Sequence, residues 1–212
     1  MRPLKFVTVT AGLSVPSSTR LLADRLARSV SDQLTAQQLA FTAEVVELRE
    51  HARAIADHLV TGFPAPALNA ALATVAAADG LIVVTPVFAA SYSGLFKCFF
   101  DVLERDSLRG TPVLIAATGG TPRHSLVLEH AMRPLFAYLG AIVAPSAVYA
   151  ATSDWGAAGH AGSEQLARRF DRAGAEMAAL MNAHGQAARP ADAYEEPIPF
   201  EQQLAAARGN SR

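Results

Sequence analysis

Leu81–Gly94 reads LIVVTPVFAASYSG. Leu81 to Val84 is an unbroken apolar run, with Val83 and Val84 β-branched like Ile82, the pattern of a strand buried on both faces inside a parallel sheet. Thr85-Pro86 predicts the end of its ladder, because proline has no N–H to donate. A short polar loop follows, then Ser93-Gly94 and the apolar helix start LFKCFFDVLE. A strand that ends in a polar loop at the carboxyl edge of a sheet is where open α/β folds bind ligands. The loops after Val9 and after Ala117 have the same strand-to-helix context.

Outward from that strand, the chain alternates. Leu4–Thr10 predicts the first strand, Phe41–Leu48 the second, Pro112–Ala117 the fourth, and Ala141–Ala150, interrupted by Pro145, the fifth. Helical periodicity predicts helices over Thr19–Leu34, Glu50–Val60, Ala67–Ala78, from Gly94 to near Leu108-Arg109-Gly110, Ser125–Leu139 and Ser163–Ala183. TGFPAP at Thr61–Pro66 is a turn. The alternation implies right-handed crossovers and an α/β, doubly wound, five-stranded parallel sheet in the order 2-1-3-4-5, with helices on both faces. In that order the loops after Thr10 and Thr85 face each other across the switch-point crevice, with the loop after Ala117 beside them. Residues 1–185 are expected to form one domain. Residues 186–212 read either as an extended arm anchored by Phe200 and Leu204 or as a disordered tail. Pro134 lies inside the Ser125–Leu139 helix, where its ring crowds the carbonyl of His130, so a kink or a one-residue π-bulge is expected around Glu129–Ala131.

The 212 residues are 51% hydrophobic and 17% charged, enough to bury a large core. A net charge of −1 argues against a nucleic-acid groove or a polybasic membrane patch. The single cysteine, Cys98, lies among phenylalanines and reads as packing; it excludes an intrachain disulfide framework. The six histidines show no metal-ligand spacing, and there is no G-x-S-x-G elbow. Met1-Arg2-Pro3 leads straight into a strand, and no apolar run approaches the ~20 residues that span a bilayer, so a cytoplasmic address is expected.

Three loops carry the chemistry. Loop one, Thr10–Arg20, opens a helix and is rich in hydroxyls, with Gly12, Ser17, Ser18 and Arg20. Free helix-start amides, the dipole and an arginine suit a phosphate, although an ordinary cap by Ser17 or Ser18 reads the same way. The loop lacks the Walker lysine and is not G-x-G-x-x-G. Loop three supplies Pro86, Val87, Phe88, Ser91, Tyr92 and Ser93, with backbone groups for the edge of a planar heterocycle and aromatics for its face. Loop four, Thr118–Ser125, carries Gly119 and Gly120, which allow close approach to a flat ligand. Alone, each also reads as an ordinary turn; together at one sheet edge they point to a phosphorylated flavin. Asp154-Trp155 lies on the same edge, either shaping the site or serving as a rim without a role.

TPVFAASYSGLFKCFFD and ATGGTPRHSLVLEHAMRPLFAYLGA resemble the NADPH-dependent FMN reductase family, with its T-P-x-Y/F-x-x-S-x-S-G-x-x-K and A-T-G-G-[ST] patterns and flavodoxin-like fold. The resemblance runs from Lys5 to Met181. AGLSVPSSTRLLADRL and PFEQQLAAARG further resemble the reductases that partner luciferase-like flavin monooxygenases. The resemblance implies FMN and NADPH (or NADH), with Ser14, Ser17, Ser18, Thr19 and Arg20 around the phosphate. It puts Pro86, Val87, Phe88, Ser91 and Tyr92 along the ribityl chain and ring, and Thr118, Gly119 and Gly120 at the ring's other edge. Val15-Pro16 stands where relatives often carry an arginine, and His130 where they often carry a tyrosine, in a helix implied to lie at a subunit interface. A homodimer or homotetramer and a transient partner flavin-dependent monooxygenase are implied. Hydride transfer to flavin needs no protein acid or base, so no catalytic residue is named. The rival readings are an FMN-containing quinone, azo or chromate reductase, and a non-enzymatic flavodoxin-type carrier. The small net charge argues against the carrier.

Overall fold

The computed structural model describes residues 2–155 and 160–184. In chain order its elements are β1 (Leu4–Thr10), α1 (Ser18–Ala36), β2 (Phe41–Glu47), α2 (Ala52–Thr61), α3 (Pro66–Ala76), β3 (Gly80–Phe88), β4 (Ser91–Tyr92), α4 (Gly94–Asp101), β5 (Pro112–Gly119), α5 (Arg133–Tyr138), β6 (Ile142–Val143), β7 (Val148–Ala151) and α6 (His160–His184). The sheet order is β2-β1-β3-β5, with β6 and β7 both pairing with the far side of β5, and all of these pairs are parallel. This is the expected flavodoxin-like α/β order.

Both faces of the central strands are buried, so their sequences are apolar without a break. Val7, Val9, Leu81, Val83, Val113 and Ile115 share one core with Leu68, Phe96 and Phe136 from the helices on that side. Phe6, Ile82, Val84 and Leu114 share the other with Leu22 and Leu26 of α1 and Met177 of α6. Each such fully buried side chain contributes roughly 1.5–3 kcal/mol.

The structure differs from the expected elements at three places. Pro86 does not end its strand: β3 continues to Phe88, and Thr85 and Pro86 pair with Ala117 and Thr118 of β5. In a parallel strand alternate residues bond to opposite neighbours. Val84 accepts the Ala11 amide on the β1 side (2.9 Å). Pro86 faces that same side, one step beyond the end of β1, where no N–H is needed. Second, α4 stops at Asp101 rather than near Gly110. The polar run from Glu104 to Ser107 forms turns, with Asp106 and Gly110 at φ of 65° and 73°. Third, the last strand is two short ones, β6 and β7, separated around Pro145. Arg133 donates to the Ala144 and Pro145 carbonyls that the break releases (3.1 and 3.2 Å). With β4, this makes seven strands instead of five.

The helix interruption is where Pro134 predicts it. Leu128–Met132 is a π-helical turn, and the Arg133 amide donates to the Leu128 carbonyl five residues back. Pro134 then enters α5 in its first turn, where no amide hydrogen is required. Cys98 is half-buried against the core. Among the described residues no single helix is long and apolar enough to cross a membrane. The expected tail over 186–212, with Phe200 and Leu204, lies outside the described residues.

Candidate functional site

Loop one leaves β1 beside β3 and folds back on the start of α1. Gly12 is needed for space: a Cβ there would lie 2.2 Å from Ser17 Oγ. Ser17 is the N-cap of α1, its Oγ accepting from the Arg20 amide at 3.2 Å. The amides of Ser18 and Thr19, in the first turn, have no intrahelical acceptor. Ser14 is exposed and donates to the Pro16 carbonyl (2.9 Å). Beneath them the Thr10 side chain, 2% exposed, has a hydroxyl without a hydrogen-bond partner. Thr10, Ser14, Ser17, Arg20, Glu47 and Arg49 line one cavity of about 330 Å³. A buried, unpaired hydroxyl costs about 1–3 kcal/mol. Set beside helix-start amides and a cap, it fits a phosphate oxygen that would bond it.

Arg20 does not point free into that cavity. It donates to Asp24 (2.7 Å) and to Glu47, and Glu47 also accepts from Arg49 (2.7 Å). Bonding to Asp24, aided by the charges of Asp24 and Glu47, holds the Arg20 guanidinium above its ordinary pKa against the effect of burial. Thr19 is placed between α1 and β5. It is 3% exposed, and its Oγ1 lies 2.8 Å from Thr118 Oγ1, so the side chain braces α1 to β5.

Loop three is a tight hairpin. Val87 and Phe88 pair antiparallel with Tyr92 and Ser91, and the turn is Ala89-Ala90 with φ of 47° and 66°. Two alanines in the left-handed region cost on the order of 1 kcal/mol each, and such strain collects at ligand-binding loops. The base of the hairpin is locked: the Ser93 amide donates to Thr85 Oγ1 (3.0 Å), and Ser93 Oγ caps α4 at the Phe96 amide (3.3 Å). Phe88, at the tip, is half exposed. Tyr92 packs on Phe96 (5.9 Å between ring centroids) and lines a separate groove of about 870 Å³ with Lys97, His130, Pro134 and Tyr138.

Loop four rests on Tyr149. The phenol donates to the Thr121 carbonyl (2.7 Å), and a Cβ at Gly119 would lie 2.0 Å from its oxygen. Burial first, and then the Asp154 carboxylate, raise the Tyr149 pKa above its ordinary value, so it stays a donor at neutral pH. Gly120 is exposed. Asp154 serves the scaffold: its carboxylate accepts the Ala151 amide (2.9 Å) and pairs with Arg169 (3.4 Å), while Trp155 packs on the core.

The structure thus gathers loops one, three and four at the carboxyl edge of the sheet and joins the first to the last through Thr19 and Thr118. It sends Arg20 toward Glu47 and Tyr92 toward the second groove. Sequence reasoning missed Thr10, Glu47, Arg49 and Tyr149. The signals were weak: a hydroxyl ending β1, a charged pair flanking Leu48, and a lone tyrosine in an alanine-rich strand.

Residues 4–156 match the family model described as NADPH-dependent FMN reductase. The FMN reductase (NADPH) of Pseudomonas aeruginosa is 40% identical over 153 residues, 72% of this chain and 80% of that protein. The NADH-dependent FMN reductase SfnF of Pseudomonas fluorescens is 38% identical over 183 residues, 86% of this chain and 95% of that one. Among solved structures, an oxidoreductase from Corynebacterium diphtheriae superposes with a TM-score of 0.82 at 42% identity, covering 87% of this chain and all of that one (100%).

Proposed function

The chain belongs to the NADPH-dependent FMN reductase family, and on that premise we propose that it reduces FMN with NAD(P)H and releases the product to a partner flavin-dependent monooxygenase. Bound together, a dihydronicotinamide and a flavin supply the chemistry, a hydride passing from one ring to the other. The protein's part is to hold and orient the two.

The observation that carries the reading is the orphaned Thr10 hydroxyl beneath the α1 start, in a cavity lined also by Ser14 and Ser17. It supports a phosphate anchored by hydroxyls and first-turn amides, with the Thr19 side chain serving as the brace to Thr118. Pro86, Val87, Phe88 and Ser91 would follow the ribityl chain and ring, and Thr118–Gly120 the ring's other edge. Tyr92 would act from the second groove. Ser14 and Ser18 are exposed, which favours a ligand that enters and leaves. Leu126, just before the π-turn, and Tyr138, at the end of α5, are 62% and 84% exposed. That apolar surface supports assembly of two or four copies through the side of α5, with His130 at the contact. The cytosol, where NAD(P)H is available, is the proposed place.

Steady-state oxidation of NADH and of NADPH with FMN, FAD and riboflavin as acceptors tests the activity. FMN should turn over many times per protein molecule. Turnover with a quinone but not with free FMN would replace the reading with that of a quinone reductase. Sedimentation at micromolar concentration tests assembly, and a monomer there would overturn it.

A further inference from the structure

Glu47, the last residue of β2, lies between two guanidiniums. One of its carboxylate oxygens accepts from Arg20 and the other from Arg49, and Arg20 is held from its other side by Asp24. All four side chains line the loop-one cavity with the unpaired Thr10 hydroxyl. The cavity therefore carries two cations and two anions, and no net charge to attract a phosphate. Both arginines line it with part of their donors committed, Arg20 through Nε and Nη1 and Arg49 through Nε. A phosphate monoester, close to a dianion at neutral pH, meets two carboxylates of its own sign. It must share each guanidinium with Glu47, whose carboxylate already holds one N–H of each and offsets their charge.

We propose that Glu47, seconded by Asp24, is the affinity-setting residue of the flavin site: it competes with the FMN phosphate for Arg20 and Arg49, and so keeps the flavin exchangeable. The inference rests on the reading that the phosphate sits in loop one. It identifies the ligand class as a flavin phosphate monoester and gives Glu47 a role opposite to that of a ligand. The phosphate is anchored by neutral donors, namely Thr10, the serines and the first-turn amides, while the charged donors stay partly withheld. A reductase that must release its product is served by such an arrangement, since loose binding here comes from competition and not from a poor fit of the ring.

The test measures dissociation constants of oxidised FMN and riboflavin by flavin fluorescence, for the unaltered protein and for Glu47→Gln, at fixed ionic strength. Glutamine keeps the shape and an acceptor but removes the charge. FMN should bind about three- to tenfold tighter to Glu47→Gln, as expected for removing one charge near a dianion at a partly exposed site, with riboflavin unchanged within about twofold. Asp24→Asn carries the same test on an exposed side chain, 49% accessible, where folding is not at risk, and should tighten FMN by a smaller factor. Unaltered or weaker FMN binding in both variants, while the unaltered protein still prefers FMN to riboflavin, overturns the competition. If the unaltered protein binds the two flavins equally and neither variant changes that, the phosphate does not occupy loop one, and the inference falls with the reading beneath it.

Discussion

Replacing Gly119 by alanine puts a methyl carbon 2.0 Å from Tyr149 Oη and 3.0 Å from its Cζ. Gly119 lies at the end of β5, so the obstacle is space and not φ. Tyr149 is 5% exposed and cannot swing into solvent without leaving the core. Its displacement breaks the bond to the Thr121 carbonyl, worth about 1 kcal/mol, and overpacking adds about 1–3 kcal/mol. Gly119→Ala should therefore cost about 2–4 kcal/mol. Tyr149→Phe alone should cost about 1 kcal/mol, the lost bond. Combining the two removes the 2.0 Å clash and leaves a ring carbon at 3.0 Å, which a small tilt relieves. The double variant should be more stable than the sum of the single effects predicts, by about 1–2 kcal/mol. Urea unfolding of all four proteins, with matched m-values, measures this directly. Because Thr118–Gly120 is proposed to meet the flavin ring and not the phosphate, Gly119→Ala should weaken FMN and riboflavin alike. A cost below about 0.5 kcal/mol for Gly119→Ala, or strict additivity in the cycle, would refute the claim that Tyr149 fixes loop four.

Three further outcomes follow from single residues. Thr10→Val removes an unpaired buried hydroxyl, so the ligand-free protein should gain about 1 kcal/mol by thermal unfolding, while FMN affinity falls about tenfold and riboflavin affinity does not; equal loss for both flavins would detach Thr10 from the phosphate. Ala90→Gly relieves a left-handed alanine at φ 66° and should raise stability by about 0.5–1 kcal/mol, a Tm shift of a few degrees; a lower Tm would mean the turn is unstrained. Bonds from Arg133 hold Glu129 below its ordinary value of 4.5, and Glu176 is likewise lowered because the Ser146 amide and hydroxyl and Arg172 outweigh its burial. Lowered folded values mean that both groups stabilise the fold above their unfolded pKa and lose that contribution as pH falls through the folded one. Denaturation midpoints should be flat above about pH 5 and decline below about 4.5, with a shallower decline in Glu129→Gln; an unchanged slope in that variant would remove Glu129 from the account.

The legible parts of this fold are those determined locally. β1 spans Leu4–Thr10 as its β-branched run predicts, and the π-turn sits over Leu128–Met132 because Pro134 obliges that helix to yield. What the chain alone does not reveal depends on neighbours far along it. Pro86 is harmless to its ladder because β1 has already ended on the side it faces, a fact of sheet register. Nothing local in the sequence shows that the Thr19 hydroxyl meets that of Thr118, 99 residues away. Arg20 reads as a free cation until β2 brings Glu47 to it. Tyr149 gives no local sign that Gly119 is a glycine on its account. In each case residue type indicated the chemistry available, and the contacts that residue makes within the fold come from elements far along the chain.

The most direct test of the account is a stoichiometry. Under anaerobic conditions the protein is mixed with a hundredfold excess of FMN and excess NADPH or NADH, and passed through a membrane that retains it. Nearly all the FMN should be recovered reduced in the filtrate, many equivalents per chain. Reduction that stops at one equivalent, with the reduced flavin retained on the protein, would contradict it.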